Sequence, residues 1–380
     1  MLMIATDRWS PDCGGRERYL EELVSHAAAR GRHVTVLCGS RAAVAAFPMC
    51  SVTRGTRPLR KARLRAAVRD ARAENPALQV LALSPIDGAT HYQLHDGLFE
   101  HAFAAERDAM QSRVRRATFA IGLALNHHRR GLMRDQRSVV LRGRAVMAFS
   151  QRTAHQVVER FGVDPAHVVV DRPGVDLSRF RPFSGDAPPR AGDRRLRLAF
   201  VAHNFALKGL RAAIATVGGL HRYGVDAMLT VAGAGRSGAY ASFAGRIGVG
   251  TAVRFVGPLA PDAVADLYRN SDLLVHPTFH DPFPRAVVEA LACGCPVITT
   301  ARCGASEVLV HGKTGFVVED PSDAVTIARF ASELIDPTRL SDMRRAAAQT
   351  GSRFDATAHF DRVLDWLDST PVARGTCMPS

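Results

Sequence analysis

Short apolar runs alternate with longer segments in which apolar residues recur every three or four positions, and the alternation holds along most of the chain. Residues 3–6 are apolar and lead into a loop, 7–15, that contains Gly14 and Gly15. Over 16–30, Tyr19, Leu20, Leu23, Val24 and Ala27 share one helical stripe. Gly31 ends that helix, and 33–38 reads as a strand. Strand, glycine-containing loop, helix and strand in that order open a parallel, doubly wound sheet. The pattern next predicts a helix over 54–72 with a narrow stripe of Leu59, Leu64, Ala67 and Val68. Strands are predicted over 78–83 and 146–149, with a mostly helical, very basic stretch over 98–142 between them. A strand over 167–170 closes this half.

Residues 172–193 hold Pro173, Pro182, Pro188, Pro189 and three glycines, which makes them the linker candidate. Strand runs then return over 196–202, 227–232, 253–256, 272–276 and 296–299, with helical segments over 207–222, 236–247, 261–270 and 284–292. A last helix, 355–368, ends in Trp366 and Leu367. The expected organisation is α/β: a doubly wound domain over 1–175, a linker over 176–193 and a second doubly wound domain over 194–354. The terminal helix and tail, 355–380, are expected to pack back on the first domain. A ligand is expected where strand carboxyl ends and helix N-termini converge between the domains.

The chain has 380 residues, 47% hydrophobic and 23% charged, which suits two globular domains and excludes disorder, collagen and coiled coil. No apolar run approaches the roughly 20 residues of a membrane span. The N-terminus lacks the basic region and length of a signal peptide, so a cytoplasmic location is expected. Cys293, Cys295 and Cys303 cluster, but their spacing lacks paired C-x2-C knuckles, so neither a metal site nor a disulfide framework is expected. Charge is the unusual feature. Fifty Lys and Arg against 36 Asp and Glu give +14, and only Lys61, Lys208 and Lys313 are lysines. Residues 1–190 carry 30 basic and 18 acidic side chains, hence +12, against +2 for the remainder. Such a half attracts an anion: nucleic acid, an anionic lipid surface or a phosphorylated glycan. With 7% aromatics not interleaved with the arginines, nucleic acid is the least supported of the three.

Four places could carry chemistry. Gly14-Gly15, ahead of the first helix, lets backbone approach a ligand at a helix N-terminus, although it is not G-x-G-x-x-G; a tight turn explains it equally. Lys208, just after a strand, suits a phosphate or is a solvated helix-start lysine. Gly233-Ala234-Gly235 ends another strand and is a weaker signal of the same kind. The strongest constellation begins at His276: a Pro-rich loop carries Asp281, and a helix starting near Pro284 carries Glu289, with seven residues between the two carboxylates. They are either two acceptors for sugar and ribose hydroxyls beside a helix N-terminus, or a cap and a surface charge.

That segment resembles the E-x7-E signature of retaining glycosyltransferases of family 4. The likeness includes the A-x-x-x-G-x-P-V that starts at Ala290, then Gly304, Glu307 and His311-Gly-Lys-Thr-Gly315. Gly14-Gly15-x-x-Arg18, the run Ala29 to Val34, Pro173-Gly-Val-Asp176 and Phe180-Arg-Pro182 are similar to the family's other segments and occur in its order. Residues 92–107, Ala-Thr-Phe at 117–119 and Phe205 to Gly209 look most like the lipopolysaccharide core glucosyltransferase I branch.

The resemblance implies the GT-B fold, two Rossmann-like domains facing each other across a cleft, and transfer of a hexose, UDP-glucose favoured, to a glycolipid or lipopolysaccharide core. It implies that Glu289 holds the donor ribose and that Asp281, where the family has Glu, lies near the donor sugar. Lys208 would contact the diphosphate, and His203 stands where the family has Arg. Gly14, Gly15, Gly233, Phe283, Pro284 and Arg285 would complete the donor site, and Asp96 would approach the acceptor hydroxyl. Asp96, Lys208 and Asp281 form the implied catalytic set. No cofactor or metal is expected, since Lys208 and helix N-termini supply positive charge. The basic half, with Arg57, Arg60, Arg65, Arg113, Arg115 and Arg116, would face the acceptor or an anionic membrane, so a peripheral position on the cytoplasmic membrane is a further expectation. A nucleotide-sugar epimerase or glycan phosphorylase of the same fold, and a nucleic-acid-binding protein, are the competing readings.

Overall fold

The computed structural model describes residues 2–7, 9, 15–38, 50–53, 61–142, 145–183 and 195–370. The chain forms two compact bodies. One comprises Met1–Glu100, Ile121–Arg172 and Thr357–Ser380, the other His101–Ala120 and Pro173–Ala356.

The first half contains β1 (Leu2–Thr6), α1 (Gly15–Ala29), β2 (Val34–Cys38), β3 (Cys50–Thr53), α2 (Lys61–Glu74), β4 (Gln79–Ala82) and β5 (His91–Gln93). It continues with α3 (Phe99–Asp108), α4 (Arg113–Leu125), α5 (His127–Arg142), β6 (Ala145–Ala148), α6 (Gln151–Phe161) and β7 (Val168–Val170). The strands form one parallel sheet in the order β3-β2-β1-β4-β5-β6-β7. β1 and β4 are buried on both faces, as a sheet covered on both sides by helices requires. Local chemistry sets the helix ends. α6 starts at Ser150, whose hydroxyl accepts from the Thr153 N–H, and stops at Gly162, which takes the left-handed conformation (φ +65°).

The second half contains β8 (Leu196–Val201), α7 (Leu210–Arg222), β9 (Ala227–Ala232), α8 (Gly238–Arg246), β10 (Val253–Gly257), α9 (Pro261–Arg269) and β11 (Leu273–His276). α10 (Arg285–Ala292), β12 (Val297–Thr300), β13 (Gly315–Val318), α11 (Ala324–Ser332), α12 (Pro337–Gly351) and α13 (Ala356–Ser369) complete it. Its six-stranded parallel sheet runs β10-β9-β8-β11-β12-β13, the Rossmann order. Phe200, Leu210, Ile214, Leu229, Val275 and Phe316 are among the side chains of its core.

Three strands, β3, β5 and β13, and three helices, α6, α11 and α12, go beyond the sequence pattern. β5 reads His-Tyr-Gln, yet all three side chains are buried. β3 and β13 are four residues each, too short to show a period, and α11 and α12 follow β13 without an apolar run that stands out. Of the helix expected over 54–72, α2 accounts for the part from Lys61 on, and 54–60 lie outside the described residues. α13 belongs to the first body. His26 of α1 bonds Asp361 at 2.7 Å, and Gln79 donates to the Leu367 carbonyl at 2.5 Å. Among the described residues, Cys38, Cys293, Cys295 and Cys303 are buried thiols outside any disulfide, and burial pushes both Cys293 and Cys303 up to about 12.

The polar strand β5 has a consequence for acid stability. Thr90 Oγ1 donates to the Val80 carbonyl, so it accepts from His91 Nδ1–H at 2.8 Å, which leaves His91 Nε2 buried with no partner. Burial lowers the imidazole to about 4. The unfolded chain binds that proton near pH 6.5, so stability is full above that pH and falls as pH drops toward 4, by about 3 kcal/mol from this group. Urea titrations across that range should show the loss, and His91→Gln should flatten it; an unchanged slope in His91→Gln would assign the loss elsewhere.

Candidate functional site

The second sheet reverses its strand order between β8 and β11, so the loops that leave these neighbours diverge at their carboxyl ends. The turn after β8 ends in Gly209, with φ +77°, where a Cβ would meet the Pro277 carbonyl oxygen at 2.1 Å. Only glycine lets this turn lie against the loop that follows β11. Phe279 N–H donates to the Leu207 carbonyl at 2.9 Å, while Thr299 and Thr300 of β12 donate to the carbonyls of His276 and Thr278 at 2.8 and 2.7 Å. Gly304, after β12, donates to the Asp281 carbonyl at 2.8 Å. Three loops are thereby tied into one platform.

On that platform Lys208 Nζ donates to Asp281 Oδ2 at 2.5 Å and to the His280 carbonyl at 3.0 Å. His276, at the end of β11, is buried with Nε2 3.7 Å from the same oxygen. Burial alone raises the Asp281 carboxyl, but Lys208 and His276 outweigh it and hold it well below the usual carboxylate range. Burial also lowers the His276 imidazole, with Asp281 partly opposing. At neutral pH the set is an ammonium, a carboxylate and a neutral imidazole. Pro284 precedes α10, whose N-terminus has no side-chain cap. Glu289, in the second turn, is buried, and the Tyr268 hydroxyl donates to its Oε2 at 3.4 Å. Burial, reinforced by Glu289, raises Tyr268 well above its ordinary value, so it remains a donor.

The remaining residues expected at this site divide. His203 is exposed just beyond β8, and Arg285 is half-buried at the start of α10. Phe283 is buried with its ring 6.3 Å from that of Phe354, so part of its role is packing. Gly233, at φ +134°, is required by the fold itself, since a Cβ there would stand 1.7 Å from the Ala202 carbonyl oxygen. No bound ligand is needed to explain that glycine.

The first sheet reverses between β1 and β4, and a second polar cluster sits there. Arg16, in the first turn of α1, donates to Asp96 Oδ2 at 3.1 Å and pairs with Asp7 Oδ1 at 3.3 Å. Ser84, after β4, donates to Asp7 Oδ1 at 2.5 Å. Burial opposes the Arg16 charge, but Asp96 and Asp7 prevail and keep it protonated. One guanidinium between two carboxylates leaves a negative charge, and Asp96 is exposed. Gln136 fixes the loop that bears Asp96, donating to the Gly97 carbonyl at 2.7 Å and accepting from Phe99 N–H at 2.9 Å. Beneath it runs a buried relay. Gln93 donates to the Tyr19 hydroxyl at 2.9 Å, which bonds His359 Nε2 at 3.0 Å, and His359 Nδ1 bonds Asp171 at 2.8 Å.

Gly14, Arg57 and Arg60 lie outside the described residues. Gly15 opens α1, and a Cβ there would meet nothing within 4 Å among the described residues. Arg65 corrects an expectation: it is not a free surface charge but pairs with the buried Asp135 of α5. Arg113 and Arg115 are exposed on α4, and Arg116 bonds the carbonyls of Met110 and Asp108 at 2.7 and 3.0 Å. Sequence reasoning passed over Arg16, Ser84 and Tyr268. Arg16 carried a signal, since a cation in the first turn opposes the helix dipole and asks for a local reason; Ser84 and Tyr268 carried none. Among the described residues no group of three His, Cys, Asp or Glu side chains could hold a metal ion, and no helix is long and apolar enough to cross a membrane.

Two family models match consecutive parts of the chain: Glycosyltransferase Family 4 over residues 13–179 and Glycosyl transferases group 1 over residues 187–350. The chain therefore carries a family 4 domain followed by a group 1 glycosyltransferase domain, the second holding Lys208, Asp281 and Glu289. Among curated proteins it is similar to a D-inositol 3-phosphate glycosyltransferase of Rhodococcus opacus, 29% identical over 242 residues, which are 60% of this chain and 54% of that protein. The chain spans about half the length of the curated relatives it matches. Among solved structures, WaaG, a glycosyltransferase involved in lipopolysaccharide biosynthesis, aligns over 97% of this chain and all of its own with a TM-score of 0.79 at 20% identity. Anabaena Alr3699/HepE in complex with UDP-glucose aligns over 97% and 100%, with a TM-score of 0.70 at 18% identity. These likenesses show the α/β fold of two Rossmann-like domains.

Proposed function

We propose that this protein is a retaining glycosyltransferase that moves a hexose, glucose from UDP-glucose foremost, to a glycolipid or lipopolysaccharide-core acceptor. The observation that carries the reading is the Lys208–Asp281 ion pair at the strand-order reversal of the group 1 domain, beside Glu289 and the α10 N-terminus. In the transfer the bond from the sugar C1 to the diphosphate oxygen breaks and a bond from C1 to the acceptor oxygen forms. The acceptor proton passes to the departing phosphate. The chief task is to stabilise charge on the leaving diphosphate, which Lys208 and the helix N–H groups supply without a metal. Glu289 receives the ribose hydroxyls, Asp281 those of the sugar, and Asp96 takes up the acceptor hydroxyl. The UDP-glucose complex of the HepE structure supports the donor, and the name WaaG carries supports the acceptor class. The D-inositol 3-phosphate glycosyltransferases favour a second acceptor, a small phosphorylated polyol, which the basic first half also suits.

α4 supports a peripheral position on the cytoplasmic membrane. None of its side chains is buried, and Val114, Ile121 and Leu125 stand exposed alongside Arg113 and Arg115. Apolar and cationic groups together on an open helix suit an anionic lipid surface. The test presents UDP-glucose with lipid-linked glycan in phosphatidylglycerol vesicles, or with inositol phosphate in solution, and reads the product by proton NMR. An α-linked product is expected, with protein sedimenting on the vesicles. A β-linked product would rule out retention, and protein left in the supernatant would rule out the membrane role.

A further inference from the structure

His276 is the buried group of the second body's site to which the reaction gives no task. Its side chain is 2% exposed and, among the described residues, no group lies within hydrogen-bond distance of either ring nitrogen, although its carbonyl is held by Thr299. A buried imidazole with two unused nitrogens costs free energy, and a leucine of similar size would fill the space without that cost. The acceptor it faces is Asp281 Oδ2, 3.7 Å from Nε2, less than about 1 Å beyond hydrogen-bond reach. That oxygen is already bonded to Lys208 Nζ.

The arrangement acquires a purpose once a diphosphate enters, and to that extent it rests on the donor-site reading above. Lys208 is a flexible point charge, and phosphate oxygens compete with Asp281 for its ammonium protons. Asp281 is largely shielded, its side chain 12% exposed, and ionised, so any weakening of that bond leaves a carboxylate in need of another donor. We propose that His276 is a positioning residue that supplies this donor, its Nε2–H closing on Asp281 Oδ2 as Lys208 engages the diphosphate, so that the carboxylate stays aimed at the donor sugar. Asp281 and Lys208 are the charged groups that face the ring, and burial, with Lys208, outweighs Asp281 and leaves it neutral, with one N–H to give. The 3.7 Å contact of the resting site shortens to a full hydrogen bond during transfer, so its loss lowers kcat and spares nucleotide binding.

The experiment compares the full-length protein with His276→Leu and His276→Gln, measuring UDP affinity by calorimetry and UDP release from UDP-glucose. His276→Leu is expected to bind UDP as the wild type does and to lose about 10–100-fold in kcat with little change in KM. His276→Gln, whose amide N–H reaches the same oxygen, is expected to recover most of that loss. A His276→Leu variant at the wild-type kcat, or a His276→Gln variant as slow as His276→Leu, would overturn the proposal. A wild type that neither binds UDP nor releases it would instead overturn the donor-site reading itself, so the two failures are told apart.

Discussion

Replacing Lys208 with methionine is expected to abolish nucleotide-sugar turnover, by about 100–1,000-fold or more in kcat, and to destabilise the group 1 domain at the same time. The two effects have separate origins. Among the described residues Lys208 supplies the one positively charged side chain bonded to Asp281, and both partners are largely buried, at 18% and 12% exposed. Removing the ammonium leaves an ionised carboxylate in a site that water reaches poorly, which costs about 3–5 kcal/mol when one partner of a buried pair is lost. Asp281 then takes up a proton at a pH well above the one at which it is now held. The double variant Lys208→Met with Asp281→Asn removes the stranded charge. Chemical denaturation should show the double variant regaining most of the lost stability, while its turnover stays as low as that of Lys208→Met. If the double variant recovered turnover as well, Lys208 would be structural and would not touch the diphosphate.

Glu289→Ala is the second large effect, and it falls on donor affinity more than on the fold. Two ribose hydroxyls bonded to one buried carboxylate are worth a factor of about 100–10,000 together. The cost to stability is smaller: the Tyr268 hydroxyl loses its acceptor, which is of order 1–3 kcal/mol. kcat/KM for the nucleotide sugar should therefore fall by orders of magnitude in a protein that still unfolds cooperatively. Glu289→Gln should be intermediate, since the amide oxygen still accepts one hydroxyl. Full activity in Glu289→Ala would contradict the donor assignment.

The doubly wound architecture was legible because buried parallel strands such as β1, β8 and β11 are almost wholly apolar, and runs of that kind survive any register. β5 was not. Thr90 bonds one ring nitrogen of its histidine, and Tyr19 and Met147 accept from its glutamine, partners spread from one to 74 residues away. Lys208 and Asp281 were each visible as motifs, but their pairing was not. It comes from the strand order that makes β8 and β11 neighbours. Long-range partnership also explains Arg65, read as part of an exposed basic face because Asp135, its counter-ion, lies 70 positions further on. The glycine at 233 has a reason in the fold that its local sequence does not show, since a Cβ there would meet the Ala202 carbonyl of the neighbouring strand end.

The central claim is that the group 1 domain binds a nucleotide sugar through Lys208, Asp281 and Glu289 with no metal ion. Thermal unfolding of the protein with UDP-, GDP- and ADP-sugars, each with and without EDTA, tests it most directly. One nucleotide series, UDP-sugars foremost, should raise the midpoint in proportion to the logarithm of its concentration, and EDTA should leave the shift unchanged. A shift abolished by EDTA, or no shift with any nucleotide sugar at millimolar concentration, would contradict the account.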